Sequence, residues 1–589
     1  MKRISCISLL LLLATLLQAQ EHPKLAPELK GLHNEANVDV IVQFRNTPHN
    51  ESRVMRQKIA AHGARLQHDF SFMHAMHASL PSSRLAELER DGEVVYVSPN
   101  RRTSSLLNNS AGAVNASYAA SLGLNGSGIA VGVIDSGIQK INDLSTASLL
   151  AGLPGLATRV VASFDFVGGN GSDAFGHGTH VAGIIGGNAT QSSCLTCTTK
   201  FRGIAPGVSL VNLRALDKNG VGSDATVIAA INQAIASKAT YNLRVINLSL
   251  GRPVFESYTQ DPLCQAVEAA WQAGIVVVVA AGNDGRDNSF GTNGYGTITA
   301  PGNDPYVITV GAMNAMGTPT RSDDIMTTYS SKGPTAIDHI VKPDLMAPGN
   351  HVTSLLASTS STLAAALPSN RPMTGSYEFT IISQESTDYF TLNGTSMAAP
   401  VVSAAAALVI EQNPKMTPDQ VKARLMKTAY KNLPATVTIV SAGQTYVEEA
   451  DIFTVGAGYL DIQAALSDSS LAPLSAISPT AVYNPSTETV SLVNTSPSAV
   501  WGTNVVWGSS AVWGANAFTS QSAPQGTNVV WGSNVVWGSN VVWGSNVVWG
   551  SASDAGFNVV WGSSSPWGDS SDRDATTETA LSILGGGDQ

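Results

Sequence analysis

Two short stretches of the chain place an acid and an imidazole at points where a strand or a helix begins or ends. The stretch "VGVIDSGI" (131–138) reads as a buried strand that ends on Asp135. The stretch "DAFGHGTHVAGIIGG" (173–187) holds His177 and His180 among glycines at the start of an apolar helix. Taken alone, the aspartate is a turn-capping residue and each histidine is a packed or capping residue. Neither stretch defines a function by itself.

A third stretch adds a hydroxyl. "LNGTSMAAPVVSAAAALVI" (392–410) places Ser396 at the entrance of a long Ala/Val helix, with Pro400 in the predicted first turn, where proline is tolerated. A serine hydroxyl is a poor nucleophile near neutral pH, so it needs a histidine to take its proton and a carboxylate to orient that histidine. The helix N-terminus behind the serine adds a positive dipole where negative charge develops. Together the three stretches favour acyl transfer.

The order of these residues excludes an α/β-hydrolase. That class runs Ser, then acid, then His along the chain, and its serine stands in the motif G-x-S-x-G. Here the order is Asp, His, Ser, and the serine stands in Gly-Thr-Ser-Met-Ala (394–398).

The stretches "VIDSGI", "GHGTHVAG" and "NGTSMAAP", in this order and at these separations, resemble the motifs of the subtilisin-like serine peptidases. The resemblance covers residues 120–468 and implies a peptidase catalytic domain there. It implies that Asp135 orients the base, that His177 is the general base and acid, and that Ser396 is the nucleophile. His180, inside the same motif, would be structural.

The resemblance also implies an oxyanion hole and a substrate pocket. Asn283, alone only a turn residue, follows Ala-Ala-Gly at a strand end, where the family places the asparagine that acts with the backbone N–H of Ser396. Family members bind the substrate backbone as an added strand between two segments, which match Ser249, Leu250, Gly251, Ala280, Ala281 and Gly282. These small residues favour a medium or large apolar side chain before the cut. Arg252 stands where glycine is expected, and the stretch 350–391 is longer than expected for a minimal member.

The elements that must position these residues read as an α/β domain. Buried-type strands are predicted at 128–135, 245–251 and 274–282, and an Ala-rich helix at 224–237. Near-continuous apolar strands separated by helices predict a mainly parallel sheet between two layers of helices, the three-layer fold that the resemblance also implies.

The N-terminus has the layout of a secretory signal peptide over residues 1–19. Lys2 and Arg3 precede an apolar run, and polar residues resume after Ala19. The run is shorter than the ~20 residues that a spanning helix needs. No later stretch is predicted to cross a membrane, so we expect a secreted protein, extracellular or associated with the cell surface, without a transmembrane anchor.

Residues 37–100 read as a small α+β unit. The predicted strands lie at 38–44, 68–80 and 93–99, and the predicted helices at 51–66 and 82–92. The unit resembles the ferredoxin-like propeptides of the family, which assist folding and then inhibit the peptidase until they are cleaved. The resemblance therefore implies an autoprocessed pre-pro-enzyme that has its own propeptide as intramolecular inhibitor.

Cysteines and charge limit the cofactors and partners. Cys6 belongs to the signal peptide, while Cys194 and Cys197 have the spacing of a small disulfide and leave Cys264 over. Zinc is the alternative, but no second ligand pair has the right spacing. We expect that no cofactor is required. Many members of the family hold structural calcium, but this sequence has no acidic cluster at EF-hand-like spacing that would support such a site. The net charge of −10 argues against nucleic acid and leaves protein or peptide substrates.

The C-terminal part of the chain has a different composition. Residues 469–500 read as a Ser/Pro/Thr-rich linker, and residues 569–589 as an acidic end. Between them, 501–568 hold nine of the ten tryptophans, all in one frame of six residues. Because six is even, an extended chain would present all of them on one face.

The tail leaves its role open. It could form a short β-solenoid, lie over the catalytic domain, pair between chains, bind sugars or a cell surface, or be a weakly ordered appendage. Its ligand is unknown, and nothing in it can activate a nucleophile. A surface-binding protein with an inactive peptidase domain is the alternative function. The complete set of Asp135, His177, Asn283 and Ser396 argues against that alternative.

Overall fold

The structure is a computed structural model with two compact units, residues 1–103 and residues 104–589. It describes residues 24–25, 29, 37–45, 52–70, 75–99, 106–146, 157–288, 292–441, 443–472, 475–484, 489–493 and 583–588. The predicted signal peptide and the tryptophan repeats lie outside these residues, and both stay predictions.

Where it is described, the first unit is a four-stranded antiparallel sheet with two helices. Its elements are β1 (Asn37–Phe44), α1 (Ser52–Ala61), β2 (Arg65–Phe70), β3 (Ala75–Pro81), α2 (Leu85–Arg90) and β4 (Val94–Pro99). The strand order β2-β3-β1-β4 with this βαββαβ sequence is the split arrangement of ferredoxin-like units. Val40, Val42, Met55 and Ile59 form part of its buried core.

Two predictions for this unit were wrong in their boundaries. The helix predicted at 51–66 ends at Ala61, because Gly63 takes a left-handed conformation (φ 70°) that breaks the helix. The single strand predicted at 68–80 belongs to two antiparallel strands, β2 and β3. Alternating side chains show which face a residue occupies, but they do not show where the chain reverses.

The second unit contains the predicted sheet. Its central strands are β5 (Ala130–Asp135), β6 (Val160–Asp165), β7 (Ser209–Arg214), β8 (Leu243–Leu248), β9 (Val276–Ala280), β10 (Ile308–Asn314), β11 (Ile325–Met326) and β12 (Leu345–Pro348). Their order is β11-β10-β9-β8-β5-β7-β6, with β12 beside β10. The β10–β11 pair is antiparallel, and the other pairs are parallel. Every residue of β5 and β9 is buried, as expected for a sheet covered on both faces.

Helices pack against this sheet. The helices are α3 (Leu106–Ala113), α4 (Ser117–Ser121), α5 (His177–Gly186), α6 (Asp224–Tyr241), α7 (Pro262–Gln272), α8 (Thr362–Ala366), α9 (Thr395–Gln412), α10 (Pro418–Thr428) and α11 (Ile462–Ser467). Helix α9 packs on β8, β9, β10 and α5, whereas α6 packs on α7 and on β5, β7 and β8. The predicted α/β class is confirmed.

Among the described residues, α9 is the one helix long and apolar enough to cross a membrane, and 89% of that stretch is buried inside the unit. It is therefore the central helix of a folded core.

The remaining described strands form three antiparallel pairs, β13 (Val352–Leu355) with β14 (Tyr389–Leu392), β15 (Thr436–Ser441) with β16 (Gln444–Glu449), and β17 (Thr480–Asn484) with β18 (Thr489–Val493). The second and third pairs are hairpins, whereas β13 and β14 are separated by the long stretch that contains α8. The last hairpin falls within the predicted linker. Ser478, just before it, donates a hydrogen bond of 2.5 Å to the buried carboxylate of Asp344, which also pairs with Lys342 and Lys422. This part of the predicted linker is thus tied to the core of the second unit.

Candidate active site

The acid and the imidazole predicted from sequence meet at the carboxyl end of β5. Asp135, the last residue of that strand, is fully buried, and its Oδ1 accepts a hydrogen bond from the Ser136 N–H (2.7 Å). Nδ1 of His177 lies 2.8 Å from Oδ1 and 3.0 Å from Oδ2 of this carboxylate. Because Nδ1–H donates to Asp135, the neutral imidazole keeps its lone pair on Nε2. A Cβ at Gly178 would lie 2.2 Å from the Gly137 carbonyl oxygen, so only glycine allows this close approach.

Asp173 fixes the first turn of α5, which begins at His177. Its Oδ1 accepts hydrogen bonds from the Gly176 N–H (2.7 Å) and the Ser136 hydroxyl (2.8 Å). Its Oδ2 accepts them from the N–H (2.8 Å) and the hydroxyl (2.7 Å) of Thr179. No role was predicted for Asp173 from its place in the sequence. An aspartate shortly before an apolar helix is the signal that could have identified this capping residue.

Ser396 is the second residue of α9, and its carbonyl has an unusual partner. Pro400 is the sixth residue of this helix, so the prediction that it lies in the first turn was wrong. Proline has no N–H to donate to the carbonyl four residues earlier, which here is that of Ser396. The hydroxyl of Ser249 donates to this carbonyl instead, at 2.8 Å.

The hydroxyl of Ser396 also points to Ser249. It donates to the Ser249 carbonyl at 3.3 Å and, within the part of the chain that the structure describes, not to His177. Helices α5 and α9, which carry His177 and Ser396, pack against each other. Hydrogen bonds between catalytic groups are often long or misaligned until substrate binds. The structure therefore joins Asp135 to His177 and places Ser396 on the neighbouring helix, with its hydroxyl turned to β8.

Asn283 lies against the start of α9. Its side-chain oxygen accepts hydrogen bonds from the N–H (2.9 Å) and the hydroxyl (3.1 Å) of Thr395. A backbone N–H can only donate, so this contact fixes which end of the amide is oxygen. The amide nitrogen makes no hydrogen bond to any described residue and is available to donate. Thr395, for which no role was predicted, is fully buried and also forms hydrogen bonds with the backbone of Gly282.

Comparison with known proteins decides the family. The family model described as "Subtilase family" matches residues 126–458, more than half of the chain. The chain belongs to the subtilase family.

Two relatives from Bacillus subtilis (strain 168) match most of their own length. Serine protease AprX is 32% identical over 433 residues, which cover 71% of this chain and 89% of that protein. Subtilisin E is 30% identical over 430 residues, which cover 72% and 89%. "Extracellular serine proteinase" of Thermus sp. (strain Rt41A) is 33% identical over 308 residues, which cover 52% and 57%. The protein is a subtilisin-like serine peptidase.

The two histidines of this subtilase have opposite electrostatic surroundings. Burial lowers the pKa of His177, but the charges of Asp135 and Asp173 and the hydrogen bond to Asp135 outweigh it and raise that pKa. Burial and the neighbouring His177 lower the pKa of His180 to about 3. Nε2 of His180 lies 3.1 and 3.0 Å from the carbonyls of Val352 and Phe390. His180 is therefore a neutral residue that ties α5 to the strand pair β13–β14, in agreement with its predicted structural role.

The two predicted pocket segments of the subtilase leave β8 and β9 and meet at Thr299. The Thr299 N–H donates to the Ala281 carbonyl at 3.0 Å. A Cβ at Gly251 would lie 2.4 Å from the Thr299 hydroxyl oxygen, and one at Gly282 would lie 2.8 Å from its methyl carbon. Thr299 thus occupies the space beside Gly251 and Gly282. The lack of a side chain at these two positions therefore does not by itself leave room for a substrate side chain. Leu250 is partly buried, and Ala280 is buried.

Arg252 binds helix ends. Its guanidinium pairs with Asp224 (2.8 Å) at the start of α6 and with Asp261 (2.8 Å), the N-cap of α7. Its backbone pairs with Ala300. The residue that replaces the expected glycine therefore clamps two helices together.

The long stretch 350–391 packs on the loop of Cys194 and Cys197, which form a disulfide. The Phe379 N–H donates to the Thr196 carbonyl at 2.7 Å. The remaining cysteine of the described residues, Cys264, is buried, and burial raises the pKa of its thiol. Among the described residues, no group of three or more His, Cys, Asp or Glu side chains is arranged to hold a metal ion.

We predict that the Thr395 hydroxyl is needed to hold Asn283. Thr395→Val keeps the shape of the side chain but removes its bonds to Asn283 and Gly282, so kcat should fall about tenfold, the equivalent of about 1.4 kcal/mol. Thr395→Ser keeps a hydroxyl and should restore most of that loss. Steady-state kinetics on a short peptide amide, normalised by active-site titration, would measure both variants. Equal kcat values for the two variants would contradict the prediction.

Proposed function

We propose that this subtilase is a secreted serine endopeptidase that cuts peptide bonds through an acyl-enzyme, with Asp135, His177 and Ser396 as catalytic residues. The observation that carries the proposal is the buried hydrogen bond from His177 Nδ1 to Asp135 (2.8 Å). It leaves Nε2 as the basic atom on a helix that packs against the helix of Ser396. That is the arrangement needed to activate a serine hydroxyl.

The reaction begins with a rotation of the Ser396 hydroxyl from the Ser249 carbonyl toward His177. Oγ attacks the carbonyl carbon of the substrate while its proton moves to Nε2. The negative oxygen of the tetrahedral intermediate accepts hydrogen bonds from the Asn283 amide nitrogen and the Ser396 N–H. The C–N bond then breaks, and the leaving amine takes the proton from Nε2. Water repeats the sequence on the acyl-enzyme and releases the acid product.

Secretion is supported by three features. The N-terminal sequence has the order of a signal peptide, and a disulfide joins Cys194 to Cys197. Disulfides form and persist mainly in oxidising compartments. One relative bears the name "Extracellular serine proteinase".

In this proposal the first unit is an inhibitor-like propeptide that the peptidase removes. Its βαββαβ order and four-stranded antiparallel sheet support that role. The repeat tail (501–568) would aid surface attachment or assembly, because its tryptophans keep a single frame and could share one face.

Casein digestion with and without a peptidyl phosphonate tests the proposed chemistry. The purified chain should degrade casein and carry the phosphonate on Ser396, located by peptide mass spectrometry. Ser396→Ala should lose the label and about a millionfold in kcat. Ser237→Ala, a buried serine of α6, is the matched control and should keep both. If folded protein from which the first unit has been removed neither cleaves casein nor takes up the phosphonate, the alternative of a surface-binding protein with an inactive peptidase domain would be favoured.

Intact mass and N-terminal sequencing follow the processing in the same preparations. The active form should begin after the first unit, whereas Ser396→Ala should keep that unit attached. Removal of the unit from Ser396→Ala in a purified sample would contradict self-processing.

The pH dependence of kcat/KM tests His177 as the base. The charge of Asp135 raises the pKa of His177 above its ordinary value of 6.5 in spite of burial. Since only the neutral imidazole accepts a proton, kcat/KM should be low in acid, rise with pH and level off, with its midpoint above pH 6.5. In Asp135→Asn the midpoint should move to lower pH, and kcat should fall about 10,000-fold. An unshifted midpoint in that variant would contradict the assignment.

A further inference from the structure

The last described residues of the chain, "ILGGGD" (583–588), are packed into the second unit. Ile583 is 3% exposed and belongs to the hydrophobic core, and Asp588 is 1% exposed. These residues follow the tryptophan repeats and belong to the stretch predicted as an acidic end. An acidic residue so deeply buried requires partners for its charge.

Asp588 has such partners on both its side chain and its backbone. The carboxylate pairs with Arg286 (2.7 Å) and accepts hydrogen bonds from the N–H (2.7 Å) and hydroxyl (2.6 Å) of Thr328. Its N–H donates to the side-chain oxygen of Asn350 (3.0 Å). Its carbonyl accepts from the side-chain nitrogen of Asn350 (2.8 Å) and from Nε2 of His351 (3.0 Å). The surrounding residues thus bind both the charged side chain and the backbone of Asp588.

The three glycines before Asp588 differ in how much space a side chain would have at each position. Gly587 has a left-handed backbone (φ 58°), and a Cβ there would lie 2.4 Å from the side-chain oxygen of Asn393. A Cβ at Gly585 would lie 2.7 Å from Leu367. A Cβ at Gly586 would meet nothing within 4 Å. The close fit and the left-handed backbone therefore require glycine at 587, whereas a side chain at 585 would displace the flexible end of Leu367 and one at 586 has room.

The segment contacts the two loops that carry the proposed oxyanion donors. The Leu584 carbonyl accepts hydrogen bonds from the N–H and the side-chain nitrogen of Asn393 (both 3.1 Å), three residues before Ser396. Arg286, the ion-pair partner of Asp588, lies three residues after Asn283.

A second route joins the segment to the same place. Asn350, which holds the backbone of Asp588, follows Gly349, whose carbonyl accepts the Gly394 N–H at 2.9 Å. The Tyr329 hydroxyl donates to that carbonyl (3.1 Å) and to the side-chain oxygen of Asn350 (3.2 Å). The residues around the start of α9 are thus held from two sides.

We propose that residues 583–588 are a positioning element of the peptidase, which sets the spacing between the Asn283 amide and the Ser396 N–H. The proposal rests on the proposed function, because these two groups matter only if they bind the oxyanion. Residues 583–588 would thus take part in turnover, although they lie far from Ser396 in the sequence.

Three changes in the full chain test this positioning role. The first is truncation after Leu581, the second is Gly587→Ala, and the third is Gly586→Ala as the matched control. Values of kcat and KM on a short peptide amide are divided by the number of sites that a phosphonate titrates, which removes any effect of unfolded protein. Truncation and Gly587→Ala should lower kcat per site about 10- to 100-fold and leave KM within about twofold, since misplaced donors weaken transition-state binding. Gly586→Ala should match the unaltered chain.

Rescue in trans gives the second measurement. A synthetic peptide with the sequence of residues 582–589 should restore kcat per site to the truncated enzyme, and the same peptide with Asp588→Asn should not. An unchanged kcat per site in truncation and Gly587→Ala, with or without a lower melting temperature, would show that the segment only stabilises the fold and would overturn the proposal. An unaltered chain that neither turns over nor titrates would overturn the proposed function and this inference with it.

Discussion

The site depends on one constraint, the burial of a carboxylate at the end of a parallel strand. Asp135 is fully buried and must have hydrogen-bond donors for its oxygens. The next residue along the chain supplies a backbone N–H, and His177 supplies Nδ1–H at 2.8 Å. The histidine can reach the carboxylate only because α5 begins beside the strand end, which requires glycine at 178 and the cap that Asp173 provides. The orientation of the imidazole therefore follows from the need to supply hydrogen-bond donors to the buried carboxylate of Asp135.

The nucleophile side is organised by the same need to satisfy backbone groups. Pro400 leaves the Ser396 carbonyl without its helical donor, and the hydroxyl of Ser249 fills that place at 2.8 Å. Thr395 in turn binds the oxygen of Asn283, which leaves the amide nitrogen available to donate. Each supporting contact fixes a group whose position matters in acyl transfer. The first turn of α9 is thereby tied to the ends of both β8 and β9.

The sequence was sufficient for the α/β class and for the pairing of Asp135 with His177, because these two residues stand in short motifs whose side chains have few other uses together. It was insufficient for the residues that support them. Ser249 was predicted to belong to the pocket, yet its hydroxyl supports the helix of Ser396. Thr395 and Asp173 lay inside the quoted motifs without a role, because their partners are distant in sequence. The hairpin β17–β18 and the docked end of the chain were missed because Ser/Pro-rich and Gly-rich composition does not show which backbone groups find partners.

A crystal structure of the covalent phosphonate adduct would show whether Ser396 attacks the substrate while Asn283 holds the oxyanion. We expect phosphorus bonded to Ser396 Oγ, which has turned from the Ser249 carbonyl toward Nε2 of His177. A phosphonyl oxygen should lie about 2.7–3.1 Å from the Asn283 amide nitrogen. An adduct on another residue, or a phosphonyl oxygen beyond hydrogen-bonding reach of Asn283, would refute this mechanism.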